Sequence, residues 1–573
     1  MDYKKVYKQW LDNNYIDEDT KKELREIMNN EVEIEDRFYK ELEFGTAGLR
    51  GKIGAGTNRM NIYNISKVTQ GLATYIKEKG EEYVNRGVAI AFDCRHYSKE
   101  FAKTTALVLA GNGIKSYLFE DLRPTPELSF AVRKLNTAAG IVITASHNPK
   151  DYNGYKVYWE DGAQVLSQIA NGITEKIKSV TNFHDVKTMD EEEALTKGLL
   201  NILGEEIDFD YIENVKSLSI REDIDKDIKI VYTPLNGTGN IPVRRVLKER
   251  GFTNIIVVPE QENPDPNFTT VGYPNPEDTK AFKYAENLGK DVGAELLIAT
   301  DPDCDRLAIE VRDETGEYVA FNGNQTGAIL INYIISNMND MGKLPKHSVI
   351  VKSIVTGDLG KAIAKEYGVE TQEALTGFKN ICGKIPALKE EGKEFIFGYE
   401  ESIGYVTGTF VRDKDAVSSS MLLCEAAAYY KTKGKTLIDV LNEIYKKYGY
   451  YREKQISLIL EGLEGKNRIE RMMKAYRESF PKEIAGSKLL SYIDYKDRIE
   501  YDMVKNYRNP CRIPRSDVLR FFLEDGSWYA VRPSGTEPKI KLYIYTKGDS
   551  IKSAEDKIKA IEKEVLHKLN SVK

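Results

Sequence analysis

Three apolar runs, at residues 138–143, 294–299 and 394–397, each stop at a loop of unusual polar residues. Runs of this length, bounded by turn residues, read as strands buried on both faces. Helical patterns alternate with these and other strand-like stretches, the signature of parallel α/β units. Ligands of open α/β sheets bind beyond the carboxyl ends of the strands. Three similar units would therefore aim three loops at one place, and a fourth unit could close the space. Residues 1 to about 43 read as charged helices leading into the fold. The expected domains are 1–205, 206–321, 322–447 and 448–573. The first closes near Asp190-Glu191-Glu192-Glu193, read as a solvated helix start, and the second opens on Ile228-Lys229-Ile230-Val231-Tyr232.

The bulk properties permit such an organisation. A chain of 573 residues is too long for one core. The net charge of −6 argues against nucleic acid or an anionic membrane as the main partner. It leaves room for small anionic substrates, because a pocket can be locally basic in an acidic protein. Cys94, Cys304, Cys382, Cys424 and Cys511 are scattered and never form Cys-x-x-Cys, which fits a reducing compartment and no zinc site. No uncharged apolar stretch approaches the ~18 residues of a membrane span. The expected location is cytoplasmic, and the sequence leaves monomer and homodimer open.

The first loop is Thr144-Ala145-Ser146-His147-Asn148-Pro149, followed by Asn153-Gly154-Tyr155-Lys156. Read alone, Ser-His before Asn-Pro is a turn more often than a nucleophile. The second loop is Asp301-Pro302-Asp303-Cys304-Asp305-Arg306. Alternate residues of an extended chain point the same way, so the three aspartates can converge. Like charges that close need a cation, and hard carboxylate oxygens favour magnesium, with manganese an option. An EF-hand loop is excluded, since Arg306 and Arg312 stand where it needs glycine and glutamate.

Two further segments complete the set. Gly398-Tyr399-Glu400-Glu401-Ser402-Ile403-Gly404-Tyr405 offers a carboxylate and a hydroxyl suited to a vicinal diol. Arg532-Pro533-Ser534-Gly535-Thr536-Glu537-Pro538 combines a guanidinium, two hydroxyls and a glycine in one turn, a compact anion-binding device. The stretch Gly45 to Lys52 adds Arg50 among glycines that let a backbone approach an anion.

The string Thr144 to Tyr158, the Asp301–Arg306 loop, the Glu400–Ser402 loop and the Arg532–Pro538 turn, taken together and in this order, resemble the α-D-phosphohexomutases. The resemblance spans about residues 40 to 550 and is similar to a branch containing bacterial α-phosphoglucomutases and relatives acting on pentose phosphates. It implies four α/β domains around a central cleft, three of similar topology plus a C-terminal α+β domain. It also implies a phosphoserine at Ser146, with Arg50 and Lys156 as further catalytic residues. A magnesium ion, one per chain, would be held by Asp301, Asp303, Asp305 and the Ser146 phosphate. Substrate contacts would come from His147, Arg306, Lys379 (within Thr376-Gly377-Phe378-Lys379), Glu400, Ser402, Arg532, Ser534, Gly535 and Thr536.

The function so implied is interconversion of glucose 1-phosphate and glucose 6-phosphate, with glucose 1,6-bisphosphate as intermediate and activator. Lys156 is the candidate general acid or base, a role that His147 or a nearby acid could share. Mannose phosphates and pentose phosphates remain open as substrates, because the motifs see a diol and a phosphate only. A metal-dependent phosphatase is a more distant alternative, disfavoured because hydrolysis need not hold both ends of a sugar. A non-catalytic sensor would have no need of Ser146 or the aspartates.

Overall fold

The computed structural model describes residues 2–460, 462–534 and 539–573. The chain divides into two compact units, residues 1–326 with 382–436, and residues 327–381 with 437–573. The first unit opens with helices Tyr3–Asp12, Glu18–Glu26 and Glu31–Phe38, each started by an Asp or Asn side chain that accepts from a backbone N–H of its first turn. Trp10, Leu24 and Phe38 close a small core between them. These are the charged lead-in helices expected from the sequence.

Two sheets organise this unit. The first has the order Leu49–Lys52, Tyr152–Trp159, Ala139–Ile143, Val88–Phe92, Ser116–Phe119, Leu200–Leu203. Its last four strands are parallel, and Val88–Phe92 and Ala139–Ile143 are buried at every position. Such strands can be uniformly apolar because helices cover both faces. Helix Ile62–Glu78 is one of the covers. It presents Ile65, Val68, Leu72 and Ile76 on one stripe to the core, each contributing about 1.5–3 kcal/mol by leaving water. The second sheet has the order Tyr318–Phe321, Leu307–Arg312, Leu296–Thr300, Ile230–Thr233, Ile255–Val257, again parallel through its last three strands. Asp190 caps the helix Glu191–Thr196, so the acidic run there is a helix start.

A feature absent from the sequence expectations recurs in this unit. Each of the three polar loops is the turn of a β-hairpin and not a crossover. Ala139–Ile143 returns antiparallel as Tyr152–Trp159, Leu296–Thr300 as Leu307–Arg312, and Glu394–Glu400 as Gly404–Thr407. Each turn contains a non-glycine residue in the left-handed region: Ser146 at φ 53°, Cys304 at 52° and Ile403 at 53°. That conformation is uncommon for L-residues, and for a β-branched one such as Ile403 it is a genuine outlier. It costs about 1–2 kcal/mol and persists only where surrounding contacts overdetermine it.

In the second unit, Ser348–Ser353 pairs in parallel with Glu370–Ala374. The C-terminal sheet runs Tyr450–Ile459, Lys539–Gly548, Trp528–Pro533, Leu519–Leu523, Ser487–Asp494, Ile499–Asp502, Tyr507–Pro510, and neighbouring strands are antiparallel. Helices Gly462–Glu478 and Ile551–Ser571 accompany it, giving the α+β character expected there. No helix among the described residues is long and apolar enough to cross a membrane.

Candidate active site

Ser146 follows the buried strand Ala139–Ile143, and its backbone N–H donates to Thr144 Oγ1 at 2.8 Å. The side chain is almost wholly buried, and its hydroxyl donates to Asp301 Oδ2 at 2.7 Å. His147 Nδ1 lies 3.2 Å from the same Oγ. Burial and the nearby guanidinium groups of Arg306 and Arg50 push the His147 imidazolium well down, so the ring is neutral at neutral pH.

The serine turn is gripped from below by Arg95, a residue the sequence reading did not single out. Its buried guanidinium donates to the carbonyls of Ser146, Asn148, Pro149 and Tyr152 and pairs with Asp93 at 3.3 Å. Asp93-Cys94-Arg95 directly follows the fully buried strand Val88–Phe92. The signal that flagged the other loops, an apolar run ending in charge, was present here too.

Arg50 stands on the edge strand Leu49–Lys52, opposite Gly154, and its guanidinium donates to Asn148 Oδ1 at 3.1 Å. The strand can approach because Gly48, at φ 76°, carries no Cβ. A Cβ there would sit 1.9 Å from the carbonyl oxygen of Tyr155. Arg50 is thus beside the serine turn with an exposed side chain.

Asp301, Asp303 and Asp305 are all buried, with one carboxylate oxygen from each lying within 4.8 Å of the others. Asp301 Oδ1 accepts from the backbone N–H groups of Asp305 and Arg306, which folds the turn onto itself. Lys156, which lies within the strand Tyr152–Trp159, donates to Asp303 Oδ2 at 2.6 Å and lies 3.6 Å from Asp305. Burial pushes all three carboxyls up. At Asp301 the charges of Asp303 and Asp305 add to this and hold it well above the usual carboxylate range. At Asp303 burial is outweighed by the ammonium of Lys156 together with hydrogen bonds involving Asp301 and Thr125, which hold the group below it. Asp305 stays raised by burial and by Asp303, against Lys414 and Lys156.

A cation fits this set on one specific observation. Asp303 Oδ1 and Asp305 Oδ1 are buried atoms without a hydrogen-bond partner. Orphaned carboxylate oxygens are expensive in protein, and three buried carboxylates clustered within 4.8 Å, two of them with an unpartnered oxygen, suit a hard divalent ion. Such an ion would favour the carboxylate form of Asp301 and Asp305, the two groups that are pushed up.

Lys414 is the second residue the sequence reading missed. Its ammonium, nearly buried, lies 3.0 Å from Asp305 Oδ2 and 3.0 Å from Asp413 Oδ1, and Asp413 in turn accepts from the Tyr158 hydroxyl at 2.7 Å. Burial works against the Lys414 charge, but Asp305 and Asp413 outweigh it and hold the group above the usual lysine range. Arg306 is similarly poised. Burial opposes its charge, while Asp305, Glu277, Asp301 and Glu400 stabilise it, and its Nη1 donates to the Ser402 carbonyl at 3.2 Å. The Leu307 N–H donates to the Ile403 carbonyl, so the aspartate loop and the Glu400–Ser402 loop are directly joined. Glu400 is buried at the end of its strand and Ser402 lies in the turn.

Ser146, His147, Arg50, Lys156, the three aspartates, Arg306, Glu400 and Ser402 thus all belong to one compact unit. Lys379, Arg532 and Ser534 belong to the other. Lys379 lies in helix Phe378–Cys382, just after Gly377 at φ 101°. Arg532 lies near the end of Trp528–Pro533, with its Nη1 3.4 Å from the Tyr543 hydroxyl, and the Ser534 N–H donates to the Lys539 carbonyl. Gly535 and Thr536 lie outside the described residues.

The comparisons with known proteins agree with one another. Family models described as phosphoglucomutase/phosphomannomutase match four successive stretches: α/β/α domain I at residues 41–184, domain II at 209–316, domain III at 322–448, and the C-terminal domain at 483–562. A phosphoglucomutase of Staphylococcus haemolyticus strain JCSC1435 is 40% identical over 91% of this chain and 94% of its own. One from Staphylococcus aureus strain MRSA252 is 40% identical over 93% and 94%. Among solved structures, the open form of parafusin, a phosphoglucomutase from Paramecium, has a TM-score of 0.68 at 18% identity, covering 93% of this chain and 95% of its own. A phosphoglucomutase/phosphomannomutase family protein from Burkholderia thailandensis has a TM-score of 0.65 at 18% identity, covering 92% and 97%. At that identity the structural likeness concerns the fold alone.

Proposed function

The chain belongs to the phosphoglucomutase/phosphomannomutase family, and from that premise we propose that it interconverts glucose 1-phosphate and glucose 6-phosphate through a phosphorylated Ser146. The observation that carries this reading is the meeting of Ser146 Oγ with Asp301 Oδ2 at 2.7 Å, Asp301 being one of three buried aspartates that each bring a carboxylate oxygen within 4.8 Å of the others. A hydroxyl there can be both phosphoryl acceptor and donor. In the forward step a sugar hydroxyl attacks the phosphoserine. The serine P–O bond breaks, the sugar P–O bond forms, and the hydroxyl proton ends on Ser146 Oγ. His147, neutral and 3.2 Å from that oxygen, would carry the proton. Lys156 is engaged with Asp303 and Asp305, which suits charge neutralisation better than the acid–base role expected from the sequence. The resulting sugar bisphosphate then presents its other phosphate to Ser146 and the same transfer runs in reverse.

Asp301, Asp303, Asp305 and a Ser146 phosphate oxygen would hold magnesium, which supplies Lewis-acid stabilisation of the phosphoryl charge when bound. A charge count supports this assignment. Three aspartates bring about −3, a phosphoserine about −2 and a divalent ion +2, leaving about −3. Lys156, Lys414 and Arg306, all within 4 Å of the aspartates, offset most of that charge, with Lys414 shared by Asp413. Positioning and charge stabilisation are what phosphoryl transfer asks of a protein. Glu400 and Ser402 would hold the sugar diol, Arg532, Ser534, Gly535 and Thr536 the non-reacting phosphate, and Lys379 would reach the substrate.

The test compares kcat/KM for glucose 1-phosphate, mannose 1-phosphate and deoxyribose 1-phosphate with magnesium and a trace of bisphosphate. At least tenfold preference for glucose is expected. A preference for mannose or the pentose would keep the transfer chemistry but overturn the substrate assignment.

A further inference from the structure

Asp303 is held by two donors from the first sheet's side of the site, and only one of them is Lys156. The other is Thr125, a fully buried residue at the start of helix Thr125–Lys134. Its hydroxyl donates to Asp303 Oδ2 at 2.8 Å, and its backbone N–H donates to the Asp303 carbonyl at 2.9 Å. A threonine in the first turn of a helix commonly turns its hydroxyl back to an orphan backbone N–H of its own helix. Here no side-chain cap is made, and the hydroxyl reaches a residue 178 positions away. Pro124 and Pro126 flank it, and proline fixes φ, so the donor is presented by a stiff turn.

The consequence lies in which oxygen remains. Lys156 and Thr125 both donate to Oδ2, at 2.6 and 2.8 Å, while Oδ1 is buried and unpartnered. With Lys156 alone, the carboxylate could rotate about its last bond and share both oxygens with the ammonium. The directional hydroxyl prevents this, because it must keep Oδ2 within hydrogen-bond geometry. We propose that Thr125 is a positioning residue for the cation site: its hydroxyl fixes the Asp303 carboxylate so that Oδ1 is the oxygen offered to a divalent ion. The proposal rests on the assignment of Asp301, Asp303 and Asp305 as that site. Hydrogen bonds to ligating carboxylates typically carry 10–100-fold in metal affinity.

Manganese, alone and without substrate, is the probe, its free concentration read by electron paramagnetic resonance against wild-type, Thr125→Val, Thr125→Ser and Asp303→Asn proteins. Thr125→Val keeps shape and removes the donor, and it should weaken Mn2+ binding 10–100-fold. Thr125→Ser restores a donor and should bind within about threefold of wild type. Turnover of the valine variant should recover most of its kcat at saturating cation, giving a raised apparent KM for metal and not a lost kcat. Thr125→Ala repeats the test should the valine variant fail to fold, as judged by its melting temperature. Wild-type Mn2+ affinity in Thr125→Val, alongside loss of binding in Asp303→Asn, would overturn the positioning role while leaving the site assignment intact. Wild-type affinity in Asp303→Asn would overturn the site assignment, and the proposal with it.

Discussion

Replacing Arg95 by methionine should cripple phosphoryl transfer while sparing the cation site. Arg95 touches neither the aspartates nor Ser146 Oγ, yet its guanidinium holds the carbonyls on either side of the serine side chain, Ser146 O and Asn148 O. A hydrogen bond from a charged donor nets about 1.5–3 kcal/mol, so these two supply about 3–6 kcal/mol. Against them stands the left-handed backbone of Ser146, which costs about 1–2 kcal/mol. With Arg95 present the observed turn wins. Without it the balance shifts against that conformation by about 1–2 kcal/mol, and a tenfold change in population corresponds to 1.36 kcal/mol. The serine would then sit correctly about one-fifth to one-thirtieth of the time, and kcat/KM should fall about 5–30-fold. Methionine fills most of the vacated volume, and Asp93→Asn should be combined with it so that no buried carboxylate is left unpaired. The assay is steady-state turnover beside Mn2+ binding, with cleavage of the 146–152 loop by a nonspecific protease as a measure of its order. Turnover within twofold of wild type and an equally resistant loop would refute the claim that the Arg95 clamp holds the turn.

Other outcomes follow from the same geometry. Lys414→Met removes the cation shared by Asp305 and Asp413, and breaking such a buried pair should destabilise the protein by about 3–5 kcal/mol; a denaturation midpoint unchanged from wild type would contradict its pairing with both carboxylates. Chelation should abolish turnover and magnesium should restore it; indifference to chelator would dispose of the aspartate loop as a metal site. In the C-terminal unit, burial pushes the Glu373 carboxyl up, but Arg520 and Lys352 outweigh it and hold it at about 2 against an ordinary 4.5. Because the folded value is depressed, the stability it lends is complete above about pH 4.5 and lost as pH falls towards 2. Glu373→Gln should flatten that acid limb, followed by the fluorescence of Trp528, which stacks on Arg520; superimposable acid limbs would rule the ion cluster out as its source.

Much of this was legible in the chain. The strands ahead of Ser146, Asp301 and Glu400 announced themselves because strands buried on both faces must be uninterruptedly apolar. The aspartates were legible because three like charges at alternate positions have few uses without a cation. The capping role of Asp190 followed from the same chemistry of helix starts that the structure displays.

What escaped was whatever depends on a partner distant in sequence. Arg95 reads as one charge after a strand until the carbonyls of residues 146–152 close around it. Thr125 reads as a helix start, and its meaning appears only across 178 residues. Arg412-Asp413-Lys414-Asp415 precedes the helix Ala416–Thr432, which Asp415 caps. Its neighbours Asp413 and Lys414, though, turn inward to Tyr158 and Asp305. The hairpin returns were hidden for another reason. Tyr152–Trp159 is polar at Asn153 and Lys156, and those residues are buried by hydrogen bonds and ion pairs that no hydropathy pattern records.

The central claim is that Ser146 carries the phosphoryl group. Purified protein would be incubated with glucose 1,6-bisphosphate labelled with radioactive phosphorus, quenched in acid and mapped by mass spectrometry. The account predicts close to one acid-stable phosphate per chain on Ser146, chased off by unlabelled glucose 6-phosphate, and neither label nor turnover in Ser146→Ala. Label on another residue, or a Ser146→Ala variant that still interconverts the two sugar phosphates, would contradict it.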